Sequence, residues 1–202
     1  MSIRILNLFR ISIFGFRIFE TFMAKGSGGF LIPDNIIKEF GIKEGMRIAD
    51  FGCGAGYFTI PIAKSVGENG VVYALDVLKT SLESVRSKAK IEGLLNIKTV
   101  WANLEISGGS KLKDESSDIV SLANILFQSP KKADIIEEAK RILKKKGKMI
   151  IIEWQEDQPL GPPKKLIVSK NLVQELVKKQ GFKLEKEFSA GKHHWGMVFT
   201  KS

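Results

Sequence analysis

Asp50-Phe51-Gly52-Cys53-Gly54-Ala55-Gly56 places three glycines at alternate positions behind an acidic residue. Glycine has no side chain to hold a ligand off and adopts backbone angles that other residues avoid, so such a loop lets a ligand approach the main chain closely. Asp76 follows at the end of the next apolar run, Val71 to Asp76. A carboxylate there can accept hydrogen bonds from both hydroxyls of a ribose. Together these residues suit a nucleoside-containing ligand. A dinucleotide fingerprint, G-x-G-x-x-G, would need its third glycine at Tyr57, where a large side chain would crowd the helix–strand packing. That weakens an NAD-linked oxidoreductase, which stays open as an alternative.

Other chemistry is thinly represented. Cys53 is the single cysteine, so an intramolecular disulfide and a multi-cysteine zinc cluster are excluded. His193 and His194 are the two histidines. Neighbours on a strand point to opposite faces, so a shared metal is not expected, and no metal site is assigned.

The loop has to be held by the elements around it, and their pattern is regular. Asp34 is placed to cap a short helix carrying Ile36, Ile37 and Phe40, ended by Gly41. Strands are expected at Arg47–Phe51, Val71–Asp76, Ile97–Trp101, Asp118–Ala123 and Lys148–Trp154. Helices are expected over Tyr57–Val66, with Pro61 in its first turn, and from a Thr80/Glu83 capping box with Leu82, Val85 and Ala89 inward and Gly93 as its end. Another starts at Ser129-Pro130 with Ile136, Ile142 and Leu143 buried, and a last one runs Ser169–Gln180 to Gly181. Phe182–Phe188 and Trp195–Lys201 close the chain as two strands. This alternation predicts an α/β, Rossmann-like doubly wound sheet, mostly parallel with the last strand antiparallel and helices on both faces. Ligands in such sheets sit at the carboxyl ends of the strands.

On these residues the segment from about 33 to 202 resembles the class I S-adenosylmethionine-dependent methyltransferases. The resemblance implies S-adenosyl-L-methionine as cofactor. The loop, here Asp50, Gly52, Gly54 and Gly56, would wrap its methionine and ribose portions. Asp76 would hold the ribose and Val77 would pack on the adenine. The polar residue after the third strand would bond the adenine amino group. The family usually has Asp there; this chain has Asn103, followed by Leu104. The helix, Gly181-Phe182 and the two final strands resemble the family's terminal hairpin. Gly161-Pro162-Pro163 and His193-His194-Trp195-Gly196 resemble methyltransferases of the ubiquinone/menaquinone-biosynthesis type.

A sulfonium methyl donor is already activated, so no protein nucleophile is required, and a general base helps only when the acceptor must lose a proton. Candidates on the acceptor side are therefore polar residues at strand ends. Asn124 begins Asn124-Ile125-Leu126-Phe127, superficially similar to the Asn-Pro-Pro-Tyr motif of amino-group methyltransferases but without both prolines. Glu153 is a candidate base or polar anchor, against the reading of a solvated carboxylate. His193 or His194, with an ordinary pKa near 6.5, has the basicity to deprotonate a phenol or enol, against a structural role. Cys53 reads as packing, and a lone cysteine argues against arsenite methylation.

The chain has 202 residues, 44% apolar, which suits one α/β domain. Its formal net charge of +10 favours anionic partners, with RNA or protein as the alternative acceptor to a small or lipid-like molecule. The plainer reading is a lysine-rich surface, with Lys144-Lys145-Lys146 and Lys178-Lys179 at helix ends. Residues 1–23 form an apolar and basic extension before a domain over 24–202. Arg4, Arg10 and Arg17 interrupt its apolar residues, so it is not expected to span a membrane. It suits either a plain extension upstream of a cytoplasmic start at Met23, or an interfacial helix giving peripheral membrane contact through residues 1–22.

Overall fold

The computed structural model describes residues 31–156, 159 and 161–202. The expected extension and its boundary at Met23 lie outside the described residues. Seven strands form one sheet: β1 (Arg47–Phe51), β2 (Val71–Asp76), β3 (Ile97–Trp101), β4 (Ser117–Ala123), β5 (Leu143–Trp154), β6 (Phe182–Ser189) and β7 (His194–Lys201). Their order is β3-β2-β1-β4-β5-β7-β6. The five from β3 to β5 are parallel, and β7 runs antiparallel between β5 and β6. The order reverses between β1 and β4, which opens a crevice at their carboxyl ends.

Period-two alternation assigns the two faces. Ile48, Val72, Ile119, Ile150 and Val198 belong to one core, packed by α1 (Pro33–Ile36), the 3-10 turn after it (Ile37–Phe40) and α2 (Thr59–Val66). Leu82 and Val85 of α3 (Lys79–Ile91) pack on Ala74 beside it. Ala49, Leu75, Val120, Ile151 and Phe199 face the other way, against α4 (Lys132–Ile142) and α5 (Lys170–Lys179). Helices thus cover both faces. The near-continuous apolar character of β2 and β4 follows from burial on both sides.

Several expected helix starts move. Asp34 lies inside α1, because Pro33, whose ring presets a helical angle and which needs no N–H partner, takes the first position. No side chain of Thr80 caps α3, which begins at Lys79; Asp76 Oδ1 instead accepts from the Leu78 N–H at 2.8 Å and shapes the entry. The expected helix at Tyr57 begins at Thr59, after the turn that closes the glycine loop. The helix expected from Ser129 begins at Lys132, and Ser129 Oγ accepts from the Lys131 N–H and donates to Glu105 Oε1. Lys144-Lys145-Lys146 lie beyond α4, at the start of β5, where Lys144 pairs with Asp118 at 2.6 Å. Lys178 and Lys179 do occupy the last turn of α5, capped at its start by Ser169.

Candidate active site

The crevice holds a cavity of about 260 Å³ at the carboxyl ends of β1, β2, β4 and β5. Asp50, Gly52, Gly54, Asp76, Val77, Asn103, Leu104 and Asn124 all contribute to its wall. These residues are spread over more than seventy positions of sequence, and the parallel register brings them to one edge.

The glycine loop is bent by specific bonds. The N–H groups of Gly52 and Cys53 both donate to the Leu75 carbonyl of β2, which folds the chain over the strand end. Gly52 has φ +69°, and a Cβ there would lie 2.7 Å from Ile125 Cδ1. Gly54 has φ +50°, its N–H donates to Asp76 Oδ2 at 3.0 Å, and a Cβ there would meet nothing within 4 Å. Its open side is the cavity. Gly56 is not on the wall; it faces Val85 of α3 and closes the turn onto the Cys53 carbonyl. Cys53 is buried in the same small cluster as Leu82 and Val85, and burial pushes its thiol well up.

Asp50 is buried and held by two hydroxyls, Thr59 Oγ1 and Ser121 Oγ, each at 2.6 Å. Burial lifts its pKa to about 6, while these two bonds act to lower it. Sequence reasoning missed both partners. The polar Ser121 inside an apolar strand was the available signal, since β4 sets it directly opposite Asp50. Asp76 accepts from Leu78 and Gly54 through different oxygens, so each retains a free lone-pair site. Burial raises its pKa, and those N–H bonds act to lower it. Val77 is 46% exposed and offers an apolar face. Its carbonyl accepts from Trp101 Nε1 at 2.9 Å, which ties it to the end of β3. Asn103 Oδ1 accepts from the Glu105 N–H at 3.0 Å, a local turn that aims the side chain while leaving acceptor capacity.

The remaining candidates divide. Asn124 ends β4 on the cavity wall with φ +56°. Glu153 does not line the cavity and is not solvated: it is 0% exposed, and its Oε1 accepts from the Leu126 N–H at 2.7 Å. It anchors the turn that follows Asn124. Burial raises its pKa to about 8, with the turn's N–H groups and Lys132 opposing. At neutral pH its proton stays largely in place, so it is no general base there. His193 and His194 are buried and off the cavity wall. His194 reaches it indirectly, with Nε2 3.2 Å from Asn124 Nδ2, and burial lowers its pKa to about 3.

Glu153 carries a stability prediction. Its folded pKa lies above its unfolded value, so the folded chain binds the extra proton between about 4.5 and 8. Its contribution is therefore fully present below pH 4.5 and is lost as pH rises through 8. Glu153→Gln should melt about 5 °C or more above the unmodified chain at pH 9, roughly 2 kcal/mol, with a much smaller gap at pH 5. Thermal melts across that range check it; an equal gap at both pH values contradicts the assignment.

Among the described residues no helix is long and apolar enough to cross a membrane, and no group of three or more His, Cys, Asp or Glu is placed to hold a metal.

Comparison with known proteins agrees with this architecture. A family model described as a methyltransferase domain matches residues 42–200. The chain is 27% identical over 128 residues to a demethylmenaquinone methyltransferase of Geobacillus sp. (strain WCH70), covering 63% of this chain and 53% of that protein. It is 31% identical over 117 residues to one of Lactococcus lactis subsp. lactis (strain IL1403), covering 58% and 45%. It thus spans about half the length of these curated relatives. The crystal structure of a SAM dependent methyltransferase from Aquifex aeolicus superposes with a TM-score of 0.79 at 29% identity, over 86% of this chain and 91% of that one. By its matched span, sheet order and glycine loop, the chain belongs to the S-adenosylmethionine-dependent methyltransferase family.

Proposed function

We propose that the chain transfers the methyl group of S-adenosylmethionine to a small, mainly apolar acceptor. The observation that carries this reading is the single cavity wall that pairs the glycine loop and Asp76 with Ile125, Phe127 and Trp154. One part suits a polar nucleoside and the other an apolar ring or chain. The names of the two curated relatives support an acceptor of that kind.

The residues present fit the cofactor. The open side of Gly54 leaves room for it against the backbone, and Asp76 has acceptor capacity on both oxygens. In this reading Asp76 receives the ribose hydroxyls, Val77 and Leu104 lie along the adenine, and Asn103 Oδ1 accepts from the adenine amino group. Gly52 and Gly54 permit close approach, and Asp50, held by Thr59 and Ser121, keeps the loop in shape. Bound S-adenosylmethionine supplies a sulfonium methyl group ready for transfer. The chain's part is to align the acceptor behind that methyl and to exclude water with its aromatic wall, effects of up to roughly 7–11 kcal/mol. Membership of the methyltransferase family leaves no reason to keep the NAD-linked alternative.

The test is purified protein, methyl-labelled cofactor and fractionated cell extract. Label in an organic-soluble small molecule, with S-adenosylhomocysteine released, is expected. Label confined to RNA or polypeptide would overturn the choice of acceptor, and those acceptors would then account for the +10 charge.

A further inference from the structure

Residues 102–116 join β3 to β4 without a helix or strand. Asn103 and Leu104, near the start of this segment, belong to the cavity wall. Irregular backbone has no ladder of its own to fix it, so its shape is set by what its polar groups bind.

Here they bind an ion pair on α4. The Gly108 N–H donates to Glu138 Oε2 and the Ser110 N–H to Glu138 Oε1, each at 2.9 Å. One turn along the helix, Arg141 clasps the same carboxylate in a two-pronged pair, Nε to Oε2 at 2.9 Å and Nη2 to Oε1 at 2.7 Å. Its Nη2 also donates to Ser110 Oγ at 3.0 Å, and its Nη1 pairs with Asp114. Glu138 is buried, and each of its oxygens accepts from one loop N–H and one guanidinium N–H. A buried charge satisfied in this way holds its partners in one arrangement.

The clasp is off the cavity wall, yet it bears on it. A Cβ on Gly109, between the two clasped N–H groups, would lie 1.8 Å from the Asn103 carbonyl oxygen. The clasped segment therefore lies directly on the Asn103 backbone, and a shift of one displaces the other. A second tie, from Ser129 Oγ ahead of α4 to Glu105 Oε1 at 2.6 Å, holds the chain two residues after Asn103.

Resting on the function proposed above, we infer that Glu138 is a positioning residue for recognition of the cofactor's adenine, fixing the loop that presents Asn103, and that Arg141 holds its carboxylate in place for this. Neither side chain touches the ligand. Their effect is read in the base that the site prefers.

The probes are S-adenosylhomocysteine and S-inosylhomocysteine, which carries an oxygen in place of the adenine amino group. Affinities are measured by calorimetry on the full chain, with a melting curve for each variant. The unmodified chain should prefer the adenine form about tenfold, since the inosine form turns an acceptor toward Asn103 Oδ1. Asn103→Ala should cut that preference to about threefold or less, and Glu138→Ala should do the same. Glu138→Gln fills the same space and should also lose the preference in a folded chain. Gly109→Ala reaches the same contact without disturbing the ion pair, so it should lose the preference even where the Glu138 variants fold poorly. Adding Glu138→Gln to Asn103→Ala should leave the preference unchanged, because both act through one group. Arg141→Lys keeps the charge but not the two-pronged clasp, and should fall between.

A full preference in folded Glu138→Gln or in Gly109→Ala overturns the role of Glu138. So does an equal loss of affinity for both ligands with the preference intact, which is what a merely structural role gives. Full preference in Arg141→Lys overturns the role of Arg141. A chain that binds both nucleosides equally well keeps the cofactor reading and loses this inference; a chain that binds neither loses both.

Discussion

Asp76→Ala should weaken S-adenosylmethionine and S-adenosylhomocysteine binding by about a hundredfold, roughly 3 kcal/mol, the worth of two hydrogen bonds to a charged acceptor. The carboxylate sits at the tip of β2 and gives one lone pair to Gly54 and another to Leu78. The two that remain match the paired hydroxyls of a ribose. Folding should suffer much less than binding. Burial raises the Asp76 pKa, so its ionised form is held at a cost near neutral pH, and removing it relieves that cost while orphaning two N–H groups. Asp76→Asn should fall between the two, because an amide offers one acceptor and one donor edge. Calorimetric titration with S-adenosylhomocysteine, beside a melting curve for each variant, is the measurement. An unchanged affinity in a well-folded Asp76→Ala chain rules out the ribose role.

Gly54→Val should abolish measurable cofactor binding, a loss of at least about a hundredfold, since a branched side chain would fill the cavity beside the backbone. Nothing in the protein stands within 4 Å of a Cβ at this position, so the added bulk enters the ligand's space rather than the core. The φ of +50° adds about 1–2 kcal/mol of backbone strain, which should lower the melting temperature modestly. Gly56→Ala is the contrast. A methyl group there would press on Val85 Cγ2 at 3.1 Å, between α2 and α3, and Gly56 is off the cavity wall. That variant should lose stability first and affinity second. If Gly54→Val binds S-adenosylhomocysteine at unchanged affinity, the loop does not cradle the cofactor.

Read from the sequence, the elements were most legible where the signal is local. β1, β2 and β3 are placed to the residue; β2 reads as a nearly unbroken apolar run because it is buried on both faces, while the half-exposed β3 at the sheet edge is marked by its β-branched and aromatic residues. Helix starts were less legible, and each miss has a side-chain cause. Thr80 has the residue type of a cap, but the Asp76 carboxylate, four positions earlier, takes the Leu78 N–H and starts α3 at Lys79. Ser129 likewise spends its hydroxyl on Glu105, across the loop after β3.

The candidate site divides along the same line. The glycine spacing, the acid closing β2 and the strand–helix alternation are consequences of backbone geometry within a few dozen residues, and the sequence alone determined them. The meaning of Glu153, His194 and Asn124 was decided only by the tertiary structure. Whether a carboxylate is solvated or shut beneath a turn depends on which strands flank it, and β5 receives β4 on one side and β7 on the other. Those pairings join residues up to about fifty positions apart in the chain. They bury Glu153 and His194 and bring the His194 ring against the side chain of Asn124 on the cavity wall. Burial and hydrogen-bond partnership are properties of the packed whole, so no local pattern of residue types encodes them.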